Sequence, residues 1–196
     1  MSRPRTDKRQ RLVTAAIEQF HRKGYARTSL ADVAKSAGIS AGNVFYYFKA
    51  KDELAQAVID EWCALLSRYL AELESQEDAW QRIGGFIRQA RLMCDIYISL
   101  GCPLAGITRD LRQESEELKD EVTRIYDTQV QWLVKEFCRG GASQIDAEKF
   151  SRTLMTRYHG AILLACAQND ASLIEDEVKS LTEWLHACQS RALHQS

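Results

Sequence analysis

Gly38 stands between two short runs whose apolar residues recur at helical spacing, and this pairing constrains the fold more than any other feature. Ser29 followed by Asp32 is a capping-box pattern that starts a helix, and Leu30, Val33, Ala34 and Ala37 give that helix one apolar face. A glycine at 38 can take the left-handed conformation that ends it and turns the chain sharply. Ile39 plugs the corner, and Ser40 is placed to cap the next helix. There Val44, Tyr47 and Phe48 fall on one side and pack inward, while Ala41, Gly42, Asn43, Phe45 and Tyr46 face a partner. Two helices joined at an angle, the second small at its front and carrying hydrogen-bonding groups, have the geometry of a helix laid in the major groove of DNA. The plainer alternative is two ordinary short helices of an all-α protein, with Gly38 as a routine stop.

Charge supports the first reading. Residues 1–53 hold 11 Lys or Arg against 5 Asp or Glu, whereas the remainder holds 15 against 22, so a net charge of −1 conceals a basic quarter on an acidic body. Phosphate binding asks for that asymmetry. Arg3, Arg5, Lys8, Arg9 and Arg11 form a basic arm at the start of the first helix, either a solvated terminus or an arm lying along phosphates.

Over about residues 8–54 the chain resembles the TetR family of bacterial transcriptional repressors. The resemblance rests on Ala15, Phe20, Gly24-Tyr25, Thr28-Ser29, Asp32-Val33-Ala34, Gly38-Ile39-Ser40, the run from Gly42 to Phe48, and Lys51 and Leu54. It implies that Thr28, Tyr47 and Lys51 hold phosphates while Ala41, Gly42, Asn43 and Tyr46 face bases. One position departs from the family pattern: Phe45 stands where Tyr is usual, so its ring is expected to pack or touch a thymine methyl rather than a phosphate.

At 196 residues the chain accommodates a DNA-reading domain, residues 1–53, and a second helical domain, residues 54–196, for effector sensing and dimerisation. The expected class is all-α with about nine helices. Helices are expected over residues 7–23, 51–74, 76–100, 103–113, 115–139, 143–169 and 172–193. No window approaches the apolar length of a membrane span and no secretory signal is visible, so the expected location is the cytoplasm with six reduced cysteines. These cysteines are scattered without a CxxC pair, and the four histidines make no metal-ligand spacing with them. No cofactor, metal or catalytic constellation is expected.

In the last two helices Leu154, Tyr158, Ile162, Ala165, Leu181, Trp184 and Leu185 lie on apolar stripes. The resemblance makes the corresponding pair a four-helix dimer interface, and an ordinary buried core face is the alternative. A dimer also suits DNA reading, because one helix covers few base pairs and two copies on an inverted repeat give useful specificity. Trp80, Phe86, Met93, Tyr97, Ile107 and Tyr126, with Leu104, Trp132 and Phe137, are candidates to line an effector cavity, core packing being the common fate of such residues. Asp95, Asp110 and Glu114 could favour a cationic ligand, but they are expected on solvated faces. Cys102, in Gly101-Cys102-Pro103, is either a reactive thiolate at a helix start or a small cysteine packed at a turn.

The functional expectation is a DNA-binding regulator, most simply a repressor, that leaves its operator on meeting a small apolar or electrophilic effector. The competing class is an all-α binding protein or enzyme whose N-terminal unit is only structural.

Overall fold

The computed structural model describes residues 5–193, and these are helical almost throughout. In order they form α1 (Arg5–Lys23), α2 (Leu30–Ser36), α3 (Ala41–Tyr47), α4 (Lys51–Leu73), α5 (Ala79–Leu92), α6 (Cys94–Leu100), α7 (Pro103–Glu114), α8 (Arg124–Arg139), α9 (Gln144–Gln168) and α10 (Ser172–Leu193). Two long helices expected from periodicity are shorter. The run 76–100 is divided at Met93, whose φ of −98° and ψ of 5° interrupt the helix without proline or glycine. The run 115–139 becomes regular only at Arg124, after turns and a 3-10 turn over Glu121–Thr123. The all-α class holds, with ten α-helices among the described residues where about nine were expected.

The chain forms two compact units, and neither is a continuous stretch. The first takes Met1–Leu65 together with Pro103–Ile125, and the second takes Leu66–Cys102 and Tyr126–Ser196. The first therefore extends beyond the reading segment expected over 1–53, because a later piece of chain returns to it.

In the first unit, α1 buries Leu12, Val13, Ala16 and Phe20 and packs against both α2 and α7. Burial of the larger side chains, Leu12, Val13 and Phe20, stabilises by about 1.5–3 kcal/mol each. The ring of Phe20 meets that of Tyr25 edge-on at 5.4 Å. The capping box expected at α2 forms in both directions: the Ser29 hydroxyl accepts from the Asp32 N–H at 3.1 Å and the Asp32 carboxylate accepts from the Ser29 N–H at 3.0 Å. The Ser29 hydroxyl also donates to the Asp32 carboxylate at 2.6 Å, and that bond, with the one from the Ser29 N–H, holds the Asp32 carboxyl below its ordinary range. Gly38 has φ of 62°, the left-handed turn that its position demands. Ile39 is buried behind it, and its N–H donates to the Ala34 carbonyl at 2.9 Å. Ser40 does not behave as expected: its side chain caps nothing, and the turn into α3 uses its carbonyl, which accepts from the Asn43 N–H.

In the second unit, α10 packs along α9 and α5, and α6 packs on α9. Phe137 is the aromatic centre, with Trp80, Phe150 and Trp184 edge-on to it at 5.7, 5.5 and 6.3 Å. The Trp80 indole N–H donates to the Gly140 carbonyl at 3.2 Å, an approach so close that a Cβ on Gly140 would fall 2.7 Å from the ring. Glu136 is fully buried, but Arg82 at 3.1 Å and Arg139 neutralise it.

The stripes expected to meet a second subunit lie inside this unit instead. Leu154, Tyr158, Ile162, Ala165, Leu181 and Leu185 are buried in the single chain, and Trp184 packs against the same core. Each stripe is the face by which one long helix meets its neighbours within the chain. The large apolar residues that α9 leaves exposed are Ile145, Leu163 and Leu164.

Candidate nucleic-acid interface

α3 is only seven residues long, too short to be stable alone, so its outward face owes its position to what holds the inner one. Val44 is fully buried, and Phe48, which ends the helix in extended conformation, is nearly so. The Arg9 guanidinium lies over the Phe48 ring at 5.1 Å, and the Arg11 guanidinium donates to the Ala37 carbonyl at the end of α2. Two arginines of the expected basic arm thus brace α2 and α3. Arg3 lies outside the described residues.

The opposite face matches the sequence expectation. Ala41, Gly42, Asn43, Phe45 and Tyr46 are all exposed, the two rings by 56% and 61%. A Cβ on Gly42 would meet nothing within 4 Å, so the front of the helix is open to close approach. Tyr47 is half-buried and packs edge-on against Tyr46 at 5.1 Å. Beside Phe45 an open groove of about 500 Å³ runs along the segment that carries Arg27 and Thr28, with Lys51 of α4 also lining it.

Two of the three residues that resemblance makes phosphate contacts have internal partners. Thr28 is 2% exposed, and its hydroxyl donates to the Gly24 carbonyl at 2.8 Å, so it builds the turn before α2 rather than offering a free group. The Lys51 ammonium donates to the Tyr25 carbonyl at 3.1 Å and the Ala26 carbonyl at 3.4 Å, and sits 4.1 Å from the centre of the Tyr25 ring.

Sequence reasoning missed a residue in this unit. Asp110, expected on a solvated face, is 7% exposed, and its carboxylate accepts from the Tyr25 N–H at 2.8 Å. Its only sequence signal is the helical register with Ile107 and Leu111, both buried. Asp95 and Glu114 are exposed as expected.

The effector candidates are divided between the units. Ile107 belongs to the first, while Trp80, Phe86, Met93, Tyr97, Cys102 and Tyr126 belong to the second. Phe86 lies 5.3 Å from Tyr158 and 6.0 Å from Trp132, and His159 stacks edge-on with Tyr158 and Tyr126, both at 5.3 Å. Trp80 is packed with Phe137, away from none of the core's demands: its one polar atom is already used by Gly140. Burial drives the His159 imidazole down to about 4, so it is neutral at physiological pH. The buried Nε2 of His159 and Nε1 of Trp132 have no hydrogen-bond partner. Burial, followed by the neighbouring Cys102, pushes the Tyr97 phenol up to about 12. Cys102 is half-buried against this core, directly after Gly101, whose φ is 81°. Neither His159 nor Tyr158 was expected here, because both sit on a helix read as an interface.

No helix among the described residues is long and apolar enough to cross a membrane. Residues 12–58 match the model described as bacterial regulatory proteins, tetR family, and residues 89–179 match that of the C-terminal domain of LmrA/YxaF-like transcriptional regulators. The transcriptional regulator LmrA of Bacillus subtilis is 24% identical over 86% of this chain and 92% of its own. TtgR of Pseudomonas putida is 42% identical, over 26% of this chain and 25% of its own. A TetR regulator from Legionella pneumophila superposes with a TM-score of 0.80 at 18% identity, covering 93% of this chain and 98% of that one. With an exposed helix-turn-helix face in the first unit and regulator models matching both ends of the molecule, the chain belongs to the TetR family of bacterial transcriptional regulators, DNA-binding proteins and not enzymes.

Proposed function

We propose that this regulator is a repressor that binds an inverted-repeat operator as a homodimer and leaves it when a small apolar effector enters the second unit. The observation that carries the reading is the exposed face of α3, where Ala41, Gly42, Asn43 and Tyr46 stand clear of a buried Val44. Small residues at its front permit close approach to base edges, and Asn43 and Tyr46 supply groups that pair with them. Tyr47 and the Lys51 ammonium, which would turn from the Tyr25 and Ala26 carbonyls, are the phosphate contacts, and Thr28 supports them through the turn. Phe45, without a hydroxyl, offers its exposed ring to a thymine methyl or to deoxyribose. The dimer surface is the outer face of α9, where Leu163 and Leu164 are 64% and 53% exposed. The aromatic group around Phe86, Trp132, Tyr158 and His159, with two unpartnered buried nitrogens, supports an apolar effector that carries a hydrogen-bonding group.

Capture of sheared genomic DNA on the purified, reduced protein, followed by sequencing, tests this reading. A recurring inverted repeat supports it, and uniform recovery or none sinks it. An electrophile that alkylates Cys102 would act on the same core. Cys102→Ser separates the two routes, because release unchanged in the variant leaves the apolar one.

A further inference from the structure

Tyr25, in the turn between α1 and α2, is gripped from three directions, all within the first unit. From α7, the Asp110 carboxylate accepts its backbone N–H at 2.8 Å. From the start of α4, the Asp52 carboxylate accepts its phenol proton, and the Lys51 ammonium lies over its ring. The Ser115 hydroxyl donates to the other oxygen of Asp52 at 2.6 Å. Gly24 makes this approach possible: its φ is 83°, and a Cβ there would stand 2.7 Å from the Asp110 carboxylate.

Such an arrangement is poor value as a device for stability alone. A carboxylate that is 7% exposed loses most of its hydration, and one backbone N–H plus a largely exposed Arg109 at 2.9 Å do not evidently offset the loss better than an apolar side chain would. What a carboxylate supplies and a methyl group does not is direction. An apolar contact tolerates sliding, while a charge-assisted hydrogen bond weakens steeply as its length and angle change. The bond also spans 85 residues of sequence and lands four residues before the cap of α2.

We infer that Asp110 is a positioning residue for DNA reading: by holding the Gly24–Tyr25 turn, it sets the attitude of α2 and α3 against α7. The segment 103–125 thereby acts on the reading helix through a short polar latch, in addition to the chain continuity through α4. Ser115 and Asp52 hold the Tyr25 side chain, and Asp110 holds its backbone.

The test compares Asp110→Ala, Asp110→Asn and Asp110→Glu in the full-length protein, with operator DNA and non-operator DNA of equal length. The inference rests on the operator reading above only for that probe. Asp110→Ala lowers operator affinity by about tenfold or more while affinity for non-operator DNA stays within about threefold, because misplaced helices lose base contacts before phosphate attraction. Asp110→Asn keeps an acceptor oxygen for Tyr25 and restores operator binding. Asp110→Glu keeps charge and acceptor but is longer by one methylene, so it behaves like the alanine variant. Equal operator affinity in wild type, alanine and glutamate variants overturns the inference, as does an equal loss in the alanine and asparagine variants. Hydrogen exchange over residues 24–28 is the second readout and needs no operator: faster exchange in the alanine and glutamate variants but not in the asparagine variant supports the latch, and unchanged exchange overturns it. Should Asp110→Ala not fold, the glutamate and asparagine variants decide the question.

Discussion

At the scale of single residues, the polar side chains of the reading unit divide by where they lie. Arg11, Thr28 and Lys51 spend hydrogen bonds on carbonyls at the ends of helices and turns, whereas Asn43 and Tyr46 stand on the exposed face of α3. The division was not legible in the sequence, where all five are polar residues within one basic segment. Tyr46→Ala is expected to weaken operator binding by about 1–3 kcal/mol and to relax preference at one base pair of each half-site, while leaving thermal stability unchanged. Fluorescence anisotropy with single-base operator variants reads this outcome, and a loss equal at every position would assign Tyr46 to phosphate instead.

At the scale of elements, the capping box and the turn glycine were legible because they depend on residues three or four apart. Ser29 with Asp32, and Gly38 with Ile39, behave as their spacing predicts. Ser40 shows the limit of that logic: the residue type suits an N-cap, but the cap is not made. The two serines therefore differ in consequence. Ser29→Ala should cost about 1 kcal/mol of stability and Ser40→Ala no more than about 0.5 kcal/mol, measured by urea unfolding followed by circular dichroism. Equal losses would contradict the difference in capping. The apolar stripes of α9 and α10 teach the complementary lesson. Their spacing shows that each helix buries a face but carries no label for the partner, and the faces chosen as an interface are core.

For the whole molecule, two outcomes follow. If Leu163 and Leu164 are the apolar part of a dimer surface, replacing both with Asp places two charges in a dehydrated contact. The variant should sediment as a monomer with its helical content intact and lose operator affinity by more than about tenfold. A variant that remains dimeric moves the interface elsewhere. The second outcome concerns acid. The His159 imidazole falls from an ordinary 6.5 to about 4 in the folded protein. Above 6.5 both folded and unfolded chains hold it neutral. Below that, the unfolded chain takes up a proton that the folded one refuses, so stability declines as pH falls from 6.5 toward 4 and this contribution levels off below. Its slope is at most about 1.4 kcal/mol per pH unit. His159→Gln should flatten the decline by that amount in paired unfolding curves, and identical pH profiles would show that His159 is solvated.

The sequence by itself determined the all-helical class, the helix-turn-helix and its outward face, because helical periodicity, capping and a left-handed glycine are set by neighbours within one or two turns of chain. Only the tertiary structure decided that residues 103–125 return to the reading unit, that Asp110 is buried against Tyr25, and that the stripes of α9 and α10 are core. Each of these joins residues far apart in sequence. Which distant group reaches a buried N–H or fills an apolar face depends on how all the helices pack together, and no local pattern records it.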